Sequence, residues 1–412
     1  MRLTHITILA AAAALTAACA DSPTAPFVTP EGPSLQQSEG RGVLQRYVAM
    51  GTSISMGFAS DGVFAGSQVD SWPAQLARLG HREITQPFIA SPGCRPPLIA
   101  PLALNRRLDG SPALPQPVSC APLVPGVTLP TQNVSISGAR TVNALSTTPE
   151  ATADPLYDRV LPPGTTQVSA MAAQRPKLVS VELGAAEVLN AYFGIAIAGP
   201  PPAPILAPAL WAPQYREVLD RVEAVLTVKH VVLVGLPTNP AAFPAMRFGH
   251  EIAAQAPVLA ALNIAVQPDC GTTNANNLIF VLLKLAPVIV QAAASPVPVP
   301  FTCADVPLTP DFVLTPQDQA LVAAVLAQMN AVIADEAAER GFAYFSLDAL
   351  YANPLARPPF SVLAMMGTPT PFGPLLSLDG IHPSAAGNAV LAQAAAAALN
   401  ATYELGILVD AP

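Results

Sequence analysis

The sequence predicts an α/β domain in three layers: a five-stranded parallel sheet with helices on both faces and long proline-rich loop insertions. Three observations predict it. Five short apolar, β-rich runs each stop at Gly, Pro, Ser or Asp. Helical patterns lie between them. Hydrophobic residues make up 51% of the 412 positions, so the chain can bury a sizeable core. Strands that alternate with helices build parallel sheets covered on both sides.

The strands come in order. Residues 46–50 end at Gly51, and residues 133–136 end at Ser137 and Gly138. Residues 178–183 end at Gly184, 230–236 at Pro237, and 342–347 at Asp348. Short runs of this kind, bounded by turn residues, fit strands buried on both faces. The helices have their own signals. Residues 72–79 follow two candidate caps, Asp70 and Ser71, with Pro73 near the first turn. Residues 215–228 carry Val218, Leu219, Val222, Val225 and Leu226 on one face. Thr315 and Pro316 open a long stretch to about residue 340, a cap followed by Pro at the first helical position. A last helix runs from about 383 to 399. In such a sheet the active site is expected at the carboxyl ends of the strands.

Two segments exceed this repeat, at about 84–131 and 239–314. The second contains an apolar run, 278–294, interrupted by Lys284 and Pro287. It reads as a core or lid helix rather than a membrane-contacting face, because charge and Pro sit inside a marginal length. The 47 prolines show no fixed period and read as stiff loops. A net charge of −8 with no basic block leaves no footprint for nucleic acid.

The amino end reads as an export signal. Arg2 precedes an apolar, alanine-rich run from 6 to 18 that ends in small residues. Leu15-Thr16-Ala17-Ala18-Cys19 resembles a bacterial lipobox, with Thr16 a relaxed choice. The resemblance implies removal of residues 1–18, lipidation of Cys19, and anchorage to a membrane of the bacterial cell envelope by its acyl chains. The alternative is an ordinary signal peptide and a free Cys19. Residues 19–44 are then expected to be a flexible tether, with the domain at 45–412. Four cysteines remain: Cys94, Cys120, Cys270 and Cys303. An even number in an exported chain suggests two disulfides. Pairing of nearest neighbours would close the two insertions; the other connectivities stay open. No feature specifies an oligomer, and a monomer is the default.

Five histidines limit the chemistry. His382 stands apart, in Asp379-Gly380-Ile381-His382-Pro383. An Asp three residues ahead, in a turn that Gly380 permits, can hold the imidazole Nδ1–H and leave Nε2 as a base. Gly51-Thr52-Ser53-Ile54-Ser55 follows the first strand, where a strand-to-helix turn can display an activated hydroxyl.

Taken together, in order and spacing, these pieces resemble the SGNH (GDSL-like) hydrolase family. Gly51–Ser55 stands for its first block, and Gly138 in Ser137-Gly138-Ala139-Arg140-Thr141 for its second. Gly184-Ala185-Ala186-Glu187 stands for the third, and Asp379–Pro383 matches the last block fully. The resemblance implies the family's flavodoxin-like fold and a serine hydrolase of carboxylic esters. Ser53 would be the nucleophile, His382 the base, Asp379 its orienting acid. The backbone N–H groups of Ser53 and Gly138 would be the oxyanion donors. No metal or organic cofactor is implied. The chain departs from the family twice: Thr52 replaces the Asp before the nucleophile, and Ala186 replaces the Asn that donates to the oxyanion. The second departure weakens the oxyanion hole; Asn190 and Asn239 are nearby amides without an assigned role. The long apolar loops point to a substrate with an apolar acyl group. Two other readings stay open: a non-catalytic, ligand-binding lipoprotein on the same fold, and a carbohydrate O-acetyl esterase or acyltransferase.

Overall fold

A computed structural model describes residues 35–116 and 119–409. The signal segment, Cys19 and most of the expected tether lie outside the described residues. The expected sheet is present: β1 (Tyr47–Gly51), β2 (Leu178–Glu182), β3 (His230–Gly235) and β4 (Ala343–Ser346) pair in parallel, in that order. Residues 132–136 run beside β1 as the fifth member. Ala49 N–H donates to Gln132, Val134 N–H to Ala49, and Ile136 N–H to Gly51. One parallel bridge, Ala49 to Asn133, marks this edge. On its outer side the Asn133 N–H donates to the Thr85 carbonyl of a loop rather than to a further strand, and its side-chain amide donates to Ser55 and Gln86.

All residues of β1 and β2 are buried, as expected for strands covered on both sides. The helices of eight or more residues are α1 (Leu35–Leu44), α2 (Trp72–Leu79), α3 (Pro208–Glu223), α4 (Val281–Ala294), α5 (Pro316–Arg340) and α6 (Ala385–Tyr403). α2 and α6 pack on each other, and α6 covers β4. α3 and α5 pack together, with α5 against β3. By the right-handed rule for crossovers between parallel strands, these pairs lie on opposite faces of the sheet. The chain steps one way from β1 to residues 132–136, and the other way from β2 through β4.

Local chemistry explains the boundaries. Thr315 Oγ1 accepts from Asp318 N–H and the Asp318 carboxylate accepts from Thr315 N–H, so α5 starts where the cap signal predicts. Gly341, at φ +67°, ends it. α2 covers the expected residues, yet Ser71 does not cap it; its hydroxyl donates to Gln86 instead. α3 starts earlier than the apolar pattern suggests, at Pro208, and ends at Glu223. α6 begins at Ala385 behind a Ser384 cap.

Two expectations need correction, and one open choice is decided. Residues 35–44 are not tether but helix α1, whose Val43 and Leu44 are buried. Gly40 sits so close to the Leu405 carbonyl that any side chain there would collide with it. In the apolar run, Leu278–Phe280 is a strand paired antiparallel to Met246–Phe248 and Val313–Leu314; the helix begins at Val281. Among the open connectivities, the nearest-neighbour one holds: Cys94–Cys120 and Cys270–Cys303 each close one insertion.

Candidate active site

The site forms where β1, β2 and the turn before α6 meet at the carboxyl edge of the sheet. Ser53 opens a short helix, Ser53–Met56, directly after β1. Gly51 makes that turn possible. A Cβ there would lie 2.8 Å from Ser55 Oγ and 2.9 Å from Glu182 Oε2. His382 arrives on the turn 379–383, in which Gly380 holds φ +62° with Ala245 too close for a side chain. The Tyr351 hydroxyl donates to the Ile381 carbonyl at 2.6 Å and steadies that turn.

Residues 329 apart in sequence thus meet. Ser53 Oγ lies 2.9 Å from His382 Nε2, and His382 Nδ1 lies 2.8 Å from Asp379 Oδ2. Asp379 is buried and accepts further bonds. Its Oδ1 takes Ile381 N–H, His382 N–H and the Ser377 hydroxyl; its Oδ2 takes Asp61 N–H at 2.7 Å. Burial alone would raise its pKa, but His382 and the surrounding N–H donors outweigh burial and hold it down at about 2. The Asp379 carboxylate is therefore charged, and it favours the Nδ1–H tautomer that leaves Nε2 facing Ser53.

Two carboxylates that the motif reading did not single out brace this arrangement. Glu182 ends β2 fully buried. Its Oε1 accepts from the Thr52 hydroxyl at 2.7 Å, and its Oε2 accepts from Thr52 N–H at 2.9 Å and Ser55 N–H at 3.2 Å. Burial raises its pKa, with these donors pulling the other way. The signal was a single charge closing an otherwise uncharged strand run. Asp61, at φ +57°, takes Arg95 and Arg107, each at 2.6 Å, and Gln116 at 3.0 Å. All three belong to the loop closed by Cys94–Cys120. That loop is thereby tied to the N–H that holds Asp379. No local pattern signals this, because the partners are distant in sequence and Arg107 is fully buried.

Gly138, at φ +78°, and Ala186 line the same cavity as Ser53 and His382. Ala186 is buried and its side chain has no donor. Glu187 beside it accepts Thr141 N–H at 2.6 Å, which pins the short helix Thr141–Ser146 that follows the Gly138 loop. Burial raises the pKa of Glu187. Asn190 lines the cavity; Asn239 does not, and its side chain accepts from Ala241 N–H instead. The cavity has a volume of about 570 Å³. Its walls come from both insertions. Arg95, Leu98, Asn105 and Gln116 lie on the first, and Phe280 and residues of α4 on the second. Among the described residues no group of three His, Cys, Asp or Glu side chains could hold a metal ion.

Comparison with known proteins adds a family. Among solved structures, the chain is similar to an acetyl-xylooligosaccharide esterase from Geobacillus Stearmophilus, at 13% identity and a TM-score of 0.35, covering 89% of this chain and 97% of that one. It is also similar to an extracellular lipase from Streptomyces rimosus, at 15% identity and a TM-score of 0.36, covering 86% and 98%. No curated protein matches the sequence. The model of the GDSL-like lipase/acylhydrolase family matches residues 47–395, from the first residue of β1 into α6 and through every element of the site. The chain belongs to the GDSL-like lipase/acylhydrolase family.

Proposed function

We propose that this protein is an exported, lipid-anchored serine hydrolase that cleaves carboxylic esters bearing an apolar acyl group. The observation that carries the reading is the unbroken series Ser53 Oγ, His382 Nε2, His382 Nδ1, Asp379 Oδ2, with each contact under 3 Å and the series opening on a cavity. The lipobox-like Cys19 carries the location.

In this reading Ser53 Oγ attacks the ester carbonyl carbon while His382 Nε2 takes the hydroxyl proton. The oxyanion faces the N–H groups of Ser53 and Gly138. Collapse breaks the bond to the alkoxy oxygen, and His382 returns the proton to the leaving alcohol. Water then repeats the sequence on the acyl-serine: His382 takes its proton, its oxygen bonds to the carbonyl carbon, and Ser53 Oγ leaves with the proton. Asp379 stays ionised and holds the imidazole throughout. Two backbone donors without the Asn side chain give a slower enzyme; a missing oxyanion donor costs on the order of 10²–10³ in turnover.

The test is hydrolysis of p-nitrophenyl acetate by the purified protein and by Ser53→Ala. Loss of turnover in a folded Ser53→Ala protein supports the reading. Equal turnover in both removes it. For the anchor, radiolabelled palmitate supplied to expressing cells should enter the protein and not its Cys19→Ser variant.

A further inference from the structure

α4 is apolar on two faces, and the two faces meet different things. Val281, Leu285, Ile289 and Ala292 are buried in the core. The face made by Leu282, Leu283, Ala286, Pro287 and Val290 lines the active-site cavity. A helix that is hydrophobic all round normally has protein on every side. Here the second face has the cavity in front of it. Its one charged residue is tied away: Lys284 Nζ donates to the Asp311 carbonyl at 3.0 Å and pairs with its carboxylate at 3.3 Å. From Leu282 to Val290 the wall is about 12 Å long at the helical rise per residue. Nothing on it can recognise a polar group by side chain.

The lining around His382 differs. Phe58 packs tilted against His382 with ring centroids 4.9 Å apart and an interplanar angle of 55°, and the Arg95 guanidinium lies 5.8 Å from the Phe58 ring. Asn105 and Gln116 line the cavity from the same loop as Arg95. A leaving alcohol must meet the proton on His382, so it lies toward Phe58 and the first insertion, where Arg95, Asn105 and Gln116 offer polar partners among Leu98, Leu102 and Leu114. The apolar wall is left for the other half of the ester.

We propose that the cavity-facing side of α4, supplied by the insertion that Cys270–Cys303 closes, is the acyl-binding wall of the enzyme. It selects esters of medium-length alkanoic acids over acetate. This rests on the hydrolase reading above and adds to it where the acyl chain lies.

The experiment measures kcat/KM for p-nitrophenyl acetate, butyrate, octanoate and dodecanoate, which share one leaving group. Each methylene buried on the wall should raise kcat/KM by up to about fourfold, the equivalent of ~0.8 kcal/mol, until the wall is filled. Ala286→Glu and Val290→Glu, the latter at a position 45% exposed, place a charge on the wall, and the octanoate-to-acetate ratio should fall in each, by at least about tenfold in Ala286→Glu. Gln291→Glu puts the same charge on an exposed position of α4 outside the cavity; it should leave the ratio as in the wild type. A flat or falling chain-length series with Ser53-dependent acetate turnover overturns the wall and leaves the hydrolase standing. So does a ratio that Val290→Glu and Ala286→Glu do not change. Turnover that survives in Ser53→Ala overturns the hydrolase reading instead. In that case, octanoate binding by calorimetry to the wild type and Val290→Glu decides the wall separately: equal affinity, or none in either protein, overturns it.

Discussion

The Thr52 hydroxyl donates to Glu182 Oε1 across 2.7 Å, joining the residue before Ser53 to the last residue of the neighbouring strand. Thr52 stands where the family has an acid, and here the acid comes from β2. Glu182 also accepts the N–H groups of Thr52 and Ser55, so one carboxylate holds both sides of the Ser53 turn.

Removing that carboxylate should therefore loosen the turn. Glu182→Ala leaves two buried N–H groups without acceptors, at a cost of roughly 2–4 kcal/mol. Urea denaturation measures it. Glu182→Gln keeps an acceptor oxygen and should lose less stability and less ester turnover than Glu182→Ala. Equal losses in the two variants would mean that the acceptor contributes nothing.

Asp379 links activity to acid stability. Its folded pKa, about 2, lies below the ordinary carboxylate value of about 3.9. Such a group contributes stability that is fully present above the unfolded value and lost as pH falls through the folded one. Between about pH 4 and pH 2 the wild type should thus lose stability more steeply than Asp379→Asn. At neutral pH the Asn variant should turn over esters on the order of 10³–10⁴-fold more slowly, because the amide favours the wrong tautomer of His382. Denaturation curves at several pH values and steady-state rates check the two halves.

Asp61 offers a test of the tie between the first insertion and Asp379. Asp61→Gly keeps the left-handed backbone at no steric cost but releases Arg95 and Arg107. It should lower kcat on the order of tenfold through misplacement of Asp379 and His382, with little change in KM for acetate. Asp61→Asn tolerates the same backbone and keeps an acceptor oxygen, so it should recover most of that loss. A KM effect without a kcat effect would place Asp61 in substrate binding alone.

Ala186→Asn adds a side-chain donor to the cavity where the proposed oxyanion hole lacks one. Turnover of p-nitrophenyl acetate should rise by up to about 10²-fold. No rise in a folded variant would show that the oxyanion does not face residue 186.

The strands of the parallel sheet and the cap of α5 were legible because their signals are local. α5 starts and ends where Thr315, Pro316 and Gly341 say it should, since capping and glycine conformations act within a few residues. The Asp379–His382 pairing was legible for the same reason: three residues and one glycine suffice to close that turn. α1 was misread as tether because Gly40 and Gly42 in a polar stretch look like linker. Its helix depends on packing beside 405–407, which no local pattern encodes.

The sequence by itself determined the fold class, the strand segments along the chain, and which serine, histidine and aspartate to examine. Periodicity and turn chemistry are short-range, and the four motif blocks keep their order along the chain. Only the tertiary structure decided what surrounds them. It brought Glu182 under the Ser53 turn, tied Asp61 to Arg107 and to the N–H that holds Asp379, and turned one face of α4 toward the cavity. Those contacts join distant segments by burial and charge pairing. A buried arginine or glutamate is recognised only once its partner's position is known, because in sequence it looks the same as one on the surface.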